Sequence, residues 1–131
     1  MLKLNINLTH LDLQYNNIRG TVGGFQIFRG LKENNTLLDL NLAWNSLGNQ
    51  KQSCAEIFGS ALESNESLKH LDISFNKFNT KEIGWLGRRL KANKTILGIH
   101  VEGNQAYYDG KGNLIPKETR MRPETVLGSS R

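Results

Sequence analysis

Leucine, with Ile, Val or Phe in its place, recurs along this chain in an eleven-residue pattern, LxxLxLxxNxL. Four stretches align to it without gaps: LTHLDLQYNNI (8–18), LLDLNLAWNSL (37–47), LKHLDISFNKF (68–78) and ILGIHVEGNQA (96–106). The apolar–polar alternation at the centre of each predicts a short half-buried strand. The asparagines Asn16, Asn45, Asn76 and Asn104 follow one another at 29, 31 and 28 residues. A second pattern, LxxNxxL, lies between the strands in LKENNTL (31–37), LESNESL (62–68) and LKANKTI (90–96). Upstream of it, apolar residues step back by three or four: Leu90, Leu86, Ile83; Leu62, Phe58, Ala55; Leu31, Ile27, Gly24. That spacing puts each set on one helix face. Each unit is therefore a strand, a turn and a helix of about three turns.

In these four copies the chain resembles the leucine-rich repeat family, in its ribonuclease-inhibitor-like class with long repeats and one helix each. The resemblance covers residues 2 to 106. It implies an α/β fold, a right-handed βα solenoid with a parallel sheet on the concave face and helices on the convex face. The physics agrees, because one βα unit cannot bury its leucines alone and stacking makes a continuous core. Leu68, Leu71 and Ile73 are expected to face Leu86 and Leu90. The four asparagines are expected to form a structural ladder, their side chains bonding backbone groups left open where the chain leaves each strand.

The first residues, LKLNINL (2–8), match LxxNxxL and read as the tail of a helix whose first turns are absent. This predicts an incomplete first repeat, either because the chain is a piece of a longer one or because a partner covers that end, with end-to-end self-association as one form. At the other end, AYYDGKGNLIP (106–116) holds a glycine-rich turn from Asp109 to Gly112 between apolar flanks and reads as a hairpin-like cap. From Pro116 the chain turns polar and basic, with Lys117, Arg120, Arg122 and Arg131 against Glu118 and Glu124, and reads as a flexible tail. The division expected is repeats over 1–106, then cap and tail over 107–131.

Equivalent residues of neighbouring parallel strands lie about 4.7–4.9 Å apart, so columns across the sheet can be read from the alignment. One column is His10, Asp39, His70, Gly98; the next is Asp12, Asn41, Asp72, His100; the third outward position is Gln14, Ala43, Ser74, Glu102. Histidines among carboxylates admit a metal, but a flat sheet converges ligands poorly and no HExxH or CxxC motif is present. A charge-compensated, solvated ladder is the simpler reading, and Asp72 beside His100 should favour its imidazolium. The position before each asparagine gives Tyr15, Trp44, Phe75 and Gly103, an aromatic edge that packs on neighbouring repeats, contacts a partner, or does both.

Net charge is +5 over 131 residues, too dilute to point to nucleic acid. It is concentrated between residues 77 and 94, where Lys77, Lys81, Arg88, Arg89, Lys91 and Lys94 face only Glu82. Such helix residues are usually solvated, and otherwise dock an acidic surface. The single cysteine, Cys54, permits no intrachain disulfide and reads as core filler in a reducing compartment. No apolar run reaches the roughly 18 residues of a membrane span. Sequons at Asn7, Asn34, Asn65 and Asn93 belong, in three cases, to the repeat frame rather than to glycosylation. GTVGGF (20–25) lacks the lysine of a phosphate loop.

No catalytic constellation and no cofactor motif emerges. The expectation is a non-enzymatic, cytoplasmic protein-interaction module. Its candidate contact residues are Tyr15, Trp44, Phe75, Asp12, Asn41, Asp72 and His100 on the sheet, with Arg88, Arg89 and Lys91 on the third helix. Two other expectations stand beside it: an architectural subunit of a cytoskeletal or ciliary assembly docked by the basic helix and tail, and a recognition domain of a longer receptor-like regulator.

Overall fold

The computed structural model describes residues 2–108, 111 and 113–117. Most of the expected glycine-rich turn and the tail from Glu118 onward lie outside them. A single 3-10 turn, Leu2–Leu4, precedes four three-residue strands: β1 (His10–Asp12), β2 (Asp39–Asn41), β3 (His70–Asp72) and β4 (Gly98–His100). They pair in parallel in that order and in the register of the alignment, Leu11 beside Leu40, Leu71 and Ile99. Helices α1 (Phe25–Glu33), α2 (Ala55–Ser64) and α3 (Thr80–Leu90) connect the strands, and a π-helical turn, Gly20–Gly24, leads into α1. The expected α/β solenoid is present.

The core fills the space between sheet and helices. Leu37, Leu40, Leu42 and Leu47 of the second unit and Leu68, Leu71, Ile73 and Phe78 of the third are buried against Phe28, Leu31, Phe58, Leu62, Ile83 and Leu86. Phe28, not Ile27, points inward on α1, because the step back from Leu31 is three residues there and four from Leu62 to Phe58. Phe28 stacks on Phe58 with ring centroids 3.9 Å apart, and Phe58 meets Phe78 at 6.0 Å. Leu8, Leu11, Leu13 and Ile18 of the first unit are only half-buried, and Leu4 and Ile6 are exposed. At the other end β5 (Ala106–Tyr108) and β6 (Leu114–Pro116) pair antiparallel. The Leu114 backbone lies directly on Gly87 of α3, where a Cβ would come within 2.7 Å of the Leu114 carbonyl.

Two ladders of asparagine side chains hold successive units together. The first is at the strand exit. Asn45 Nδ2 donates to Leu13 O at 3.0 Å, Asn76 Nδ2 to Leu42 O at 2.8 Å and Asn104 Nδ2 to Ile73 O at 2.8 Å. Their Oδ1 atoms accept from backbone N–H groups of the preceding unit, among them Ile18, Leu47 and Phe78. Asn16, the outermost member, is exposed and donates to Gln14 O in its own turn.

The second ladder caps the helix ends. Asn34 Nδ2 donates to Leu2 O and Asn5 O, Asn65 Nδ2 to Leu31 O and Asn34 O, and Asn93 Nδ2 to Leu62 O and Asn65 O. Carbonyls at a helix C-terminus have no partner within the helix, so each asparagine answers the preceding helix's need. Two sequon hydroxyls extend the ladder: Thr36 Oγ1 donates to Leu8 O and Ser67 Oγ to Leu37 O. Asn34 and Asn65 are buried, which leaves no room for a glycan at either.

Glu82 is the buried acid of α3. Asn79 Oδ1 accepts from Glu82 N at 2.9 Å while Glu82 Oε1 accepts from Asn79 N at 3.1 Å, a reciprocal capping box. The same carboxylate accepts from Asn49 N at 2.8 Å and from Ser53 Oγ at 2.6 Å, tying the loop before α2 to the start of α3.

Burial first, and the Glu82 charge second, push the Cys54 thiol from its ordinary 9.0 up to about 12. The folded state therefore keeps the thiol neutral after the unfolded chain would ionise it. The associated stabilisation is complete below pH 9 and is lost as pH rises toward 12. Cys54 is expected to resist alkylation by iodoacetamide at pH 8 in the native protein and to react fully in denaturant. Fast native labelling would contradict its place in the core.

Candidate functional site on the sheet face

The strands present their second set of side chains to solvent, and three turns leave the strands in the same way. Asp12, Asn41 and Asp72 each accept, through Oδ1, a hydrogen bond from the backbone N–H two residues on, at 3.0, 3.0 and 2.9 Å. These Asx turns send the chain into the left-handed region at Tyr15 (φ 59°), Trp44 (φ 58°) and Phe75 (φ 55°). Bulky residues are uncommon there and held at a cost. The fourth unit has Gly103 at φ 76° in the equivalent place.

The aromatics offset part of that cost by stacking. Tyr15 and Trp44 lie with centroids 5.4 Å apart and Trp44 and Phe75 4.1 Å apart, each pair within 9° of parallel. Such pairs contribute about 0.5–1.5 kcal/mol beyond area burial. Phe75 rests on Gly103, where any Cβ would collide with the ring. The result is a continuous rail whose ring faces are mostly covered by one another and whose edges remain open. Exposure rises from 39% at Phe75 to 46% at Trp44 and 67% at Tyr15. The expected packing on neighbours is therefore present, and a substantial apolar edge is left over.

Beside the rail, Asp12, Asn41, Asp72 and His100 stand in one register row. The carboxylate within ion-pairing distance of His100 is Glu102, at 3.9 Å. Glu102 also accepts from Ser74 Oγ at 2.9 Å. Its own backbone N–H and then the Ser74 hydroxyl hold its carboxyl below the usual range. The third outward column is only partly outward, since Ala43 and Ser74 are buried and Gln14 and Glu102 alone reach solvent. Among the described residues no group of three or more His, Cys, Asp or Glu is placed to hold a metal ion.

Arg88, Arg89 and Lys91 are not part of this row. They belong to α3 and its C-terminal cap, in the helix layer. Arg89 Nη1 pairs with Glu63 Oε1 of α2 at 2.7 Å, its stem crossing Gly59, and Arg88 lies over the Trp85 ring at 5.4 Å. Lys91 is exposed. Asp39 and Glu102 were absent from the expected contact set, although the alignment columns contain both. Asp39 stands on β2 between His10 and His70.

The leucine-rich repeat family model matches the chain three times, at residues 4–21, 33–50 and 64–81. These segments are leucine-rich repeats. Each match spans a strand with an asparagine of each ladder, and the pairing of β4 with β3 carries the same leucine-rich repeat frame one unit further. The chain is also 34% identical, over 87 residues, to leucine-rich repeat-containing protein 45 of Gallus gallus. That alignment takes in 66% of this chain and 13% of that protein, so the chain spans a small part of its relative's length. Leucine-rich repeats generally mediate protein–protein interaction and are typically non-catalytic. No helix among the described residues is long and apolar enough to cross a membrane.

Proposed function

We propose that this leucine-rich repeat unit is a non-catalytic module that binds a protein partner through the concave sheet face and its aromatic edge, within a scaffold of the long-repeat, ribonuclease-inhibitor-like type. The observation that supports it most is the rail. Glycine would relieve the backbone at three left-handed positions, yet Tyr15, Trp44 and Phe75 occupy them and remain 39–67% exposed. Stacked rings lose little conformational freedom on binding, and aromatic residues dominate interface energetics.

A second reading is docking of an acidic surface by α3. The burial of Glu82 favours it, because the only acid of that basic stretch is turned inward, leaving Lys77, Lys81, Lys91 and Lys94 exposed.

The two readings separate by substitution. Trp44→Ala with Phe75→Ala is expected to weaken a captured partner at least tenfold, as measured by isothermal titration. Arg88→Glu, Arg89→Glu and Lys91→Glu together are expected to leave its affinity within about twofold. The reverse outcome assigns the interface to α3, and no effect of either set removes both readings.

A further inference from the structure

The chain carries +5, yet its sheet face has the opposite sign. Across the four strands and the turns that leave them (9–15, 38–44, 69–75 and 97–103), every unit contributes one carboxylate: Asp12, Asp39, Asp72 and Glu102. The only lysine or arginine in those segments is Lys69. The positive charge sits elsewhere, concentrated on α3 and its flanks.

These carboxylates are available. Among the described residues, no hydrogen bond or ion pair engages the Asp39 carboxylate or the second oxygen of Asp72. Asp12 meets only Gln14 of its own turn. Glu102 stays ionised beside Ser74, with His100 at 3.9 Å and both carboxylate and imidazole exposed. Asp12 and Asp72 are two strand spacings apart, about 10 Å; Asp39 lies on the strand between them, two residues back in the His10–His70 column, and Glu102 lies one strand beyond Asp72, two residues on. Acid therefore recurs along the whole face, parallel to the aromatic rail.

From this juxtaposition of carboxylates spread over three neighbouring columns with an apolar edge we infer that the sheet face takes a lysine- and arginine-rich segment of a partner protein. The long aliphatic stems of such residues lie along ring edges while their heads reach carboxylates, arginine in bidentate fashion. Nucleic acid and acidic proteins are repelled by the same carboxylates. This inference rests on the sheet-face reading above and adds the chemistry of the occupant.

The test uses isotope-labelled protein titrated, under NMR observation, with a short Lys/Arg-rich peptide carrying spaced leucines and with its Glu-substituted counterpart. The variant is Asp12→Asn, Asp39→Asn and Asp72→Asn together. Asn41 already fills the equivalent column and accepts from Ala43 N at 3.0 Å, so asparagine preserves the turns. The cationic peptide is expected to shift the amides of residues 10–12, 39–41 and 70–72, and the triple variant to bind it at least tenfold more weakly. The acidic peptide is expected to leave those amides unmoved. Unchanged affinity in the triple variant, or the acidic peptide on the strands, overturns the inference. If Trp44→Ala with Phe75→Ala weakens partner binding while the triple variant does not, the sheet-face reading stands and the charge assignment falls. Amide shifts on these strands after deletion of residues 118–131, with no peptide present, would assign the face to the chain's own tail and overturn a partner.

Discussion

Phe58→Ala is expected to destabilise the protein by about 3–5 kcal/mol, the largest effect of any single truncation in this core. Phe58 is fully buried on α2. Its ring stacks on Phe28 of the preceding helix at 3.9 Å and meets Phe78, which follows β3, at 6.0 Å. The cavity left by alanine would open to three successive units at once. None can close over it, because each is held in register by the sheet on one side and by the asparagine ladders on the other. Urea unfolding should show the midpoint falling with an unchanged slope. Ile27→Ala, on the neighbouring face of α1 and only half-buried, should cost about 1 kcal/mol. A loss below about 1 kcal/mol at Phe58 would mean that the units do not share a core.

That contrast marks where the chain's pattern was readable and where it was not. The register of the strands was legible to the residue, because an eleven-residue frame in four copies fixes which side chains alternate inward. The helices were legible as elements but less so in rotation. From Leu31 the steps of three and four lead to Phe28 and Ile27 respectively, and both are apolar. Packing against Phe58 selects Phe28, a choice made by the neighbouring unit and invisible in the local pattern.

The candidate site divides in the same way. The aromatic column and the Asp12–His100 row followed from alignment alone and appear in that register. Left-handed backbone at Tyr15, Trp44 and Phe75 could not be read from the residue types, which argue against it, although Gly103 in the same column was a clue. Glu82 looked like the lone acid balancing a basic stretch, because proximity in sequence says nothing of burial. Its carboxylate is spent on Asn49, Ser53 and its own helix cap. The charge of α3 is therefore less balanced than its composition shows, and that of the sheet face more negative than the chain's net charge implies.

Asn76→Ala is expected to cost about 3 kcal/mol, although it removes no apolar contact of note. Asn76 has no solvent exposure. Its Nδ2 reaches the carbonyls of Leu42 at 2.8 Å and of Ile73 and Ser74 at 3.2 Å, while its Oδ1 accepts from Leu47 N at 3.2 Å. Alanine would strand the Leu47 N–H and withdraw a donor from buried carbonyls in two units, and each stranded buried group costs about 1–3 kcal/mol. Asn16→Ala is the matched control, because that outermost asparagine is exposed, its side chain bonds only within its own turn, and alanine keeps the backbone N–H that donates to Asn45 Oδ1; a loss under about 1 kcal/mol is expected. Asn76→Asp sharpens the comparison. It keeps the acceptor but sets a carboxylate against three carbonyl oxygens, so the acid should titrate above its usual range inside the fold. A folded pKa raised above the unfolded one makes the variant weakest at neutral pH and partly restored as pH falls below that raised value. Equal losses at Asn16 and Asn76 in urea unfolding would show that the rungs act locally. The unequal pair expected here would locate the asparagine's contribution in the joint between units, where a solenoid's cooperativity resides.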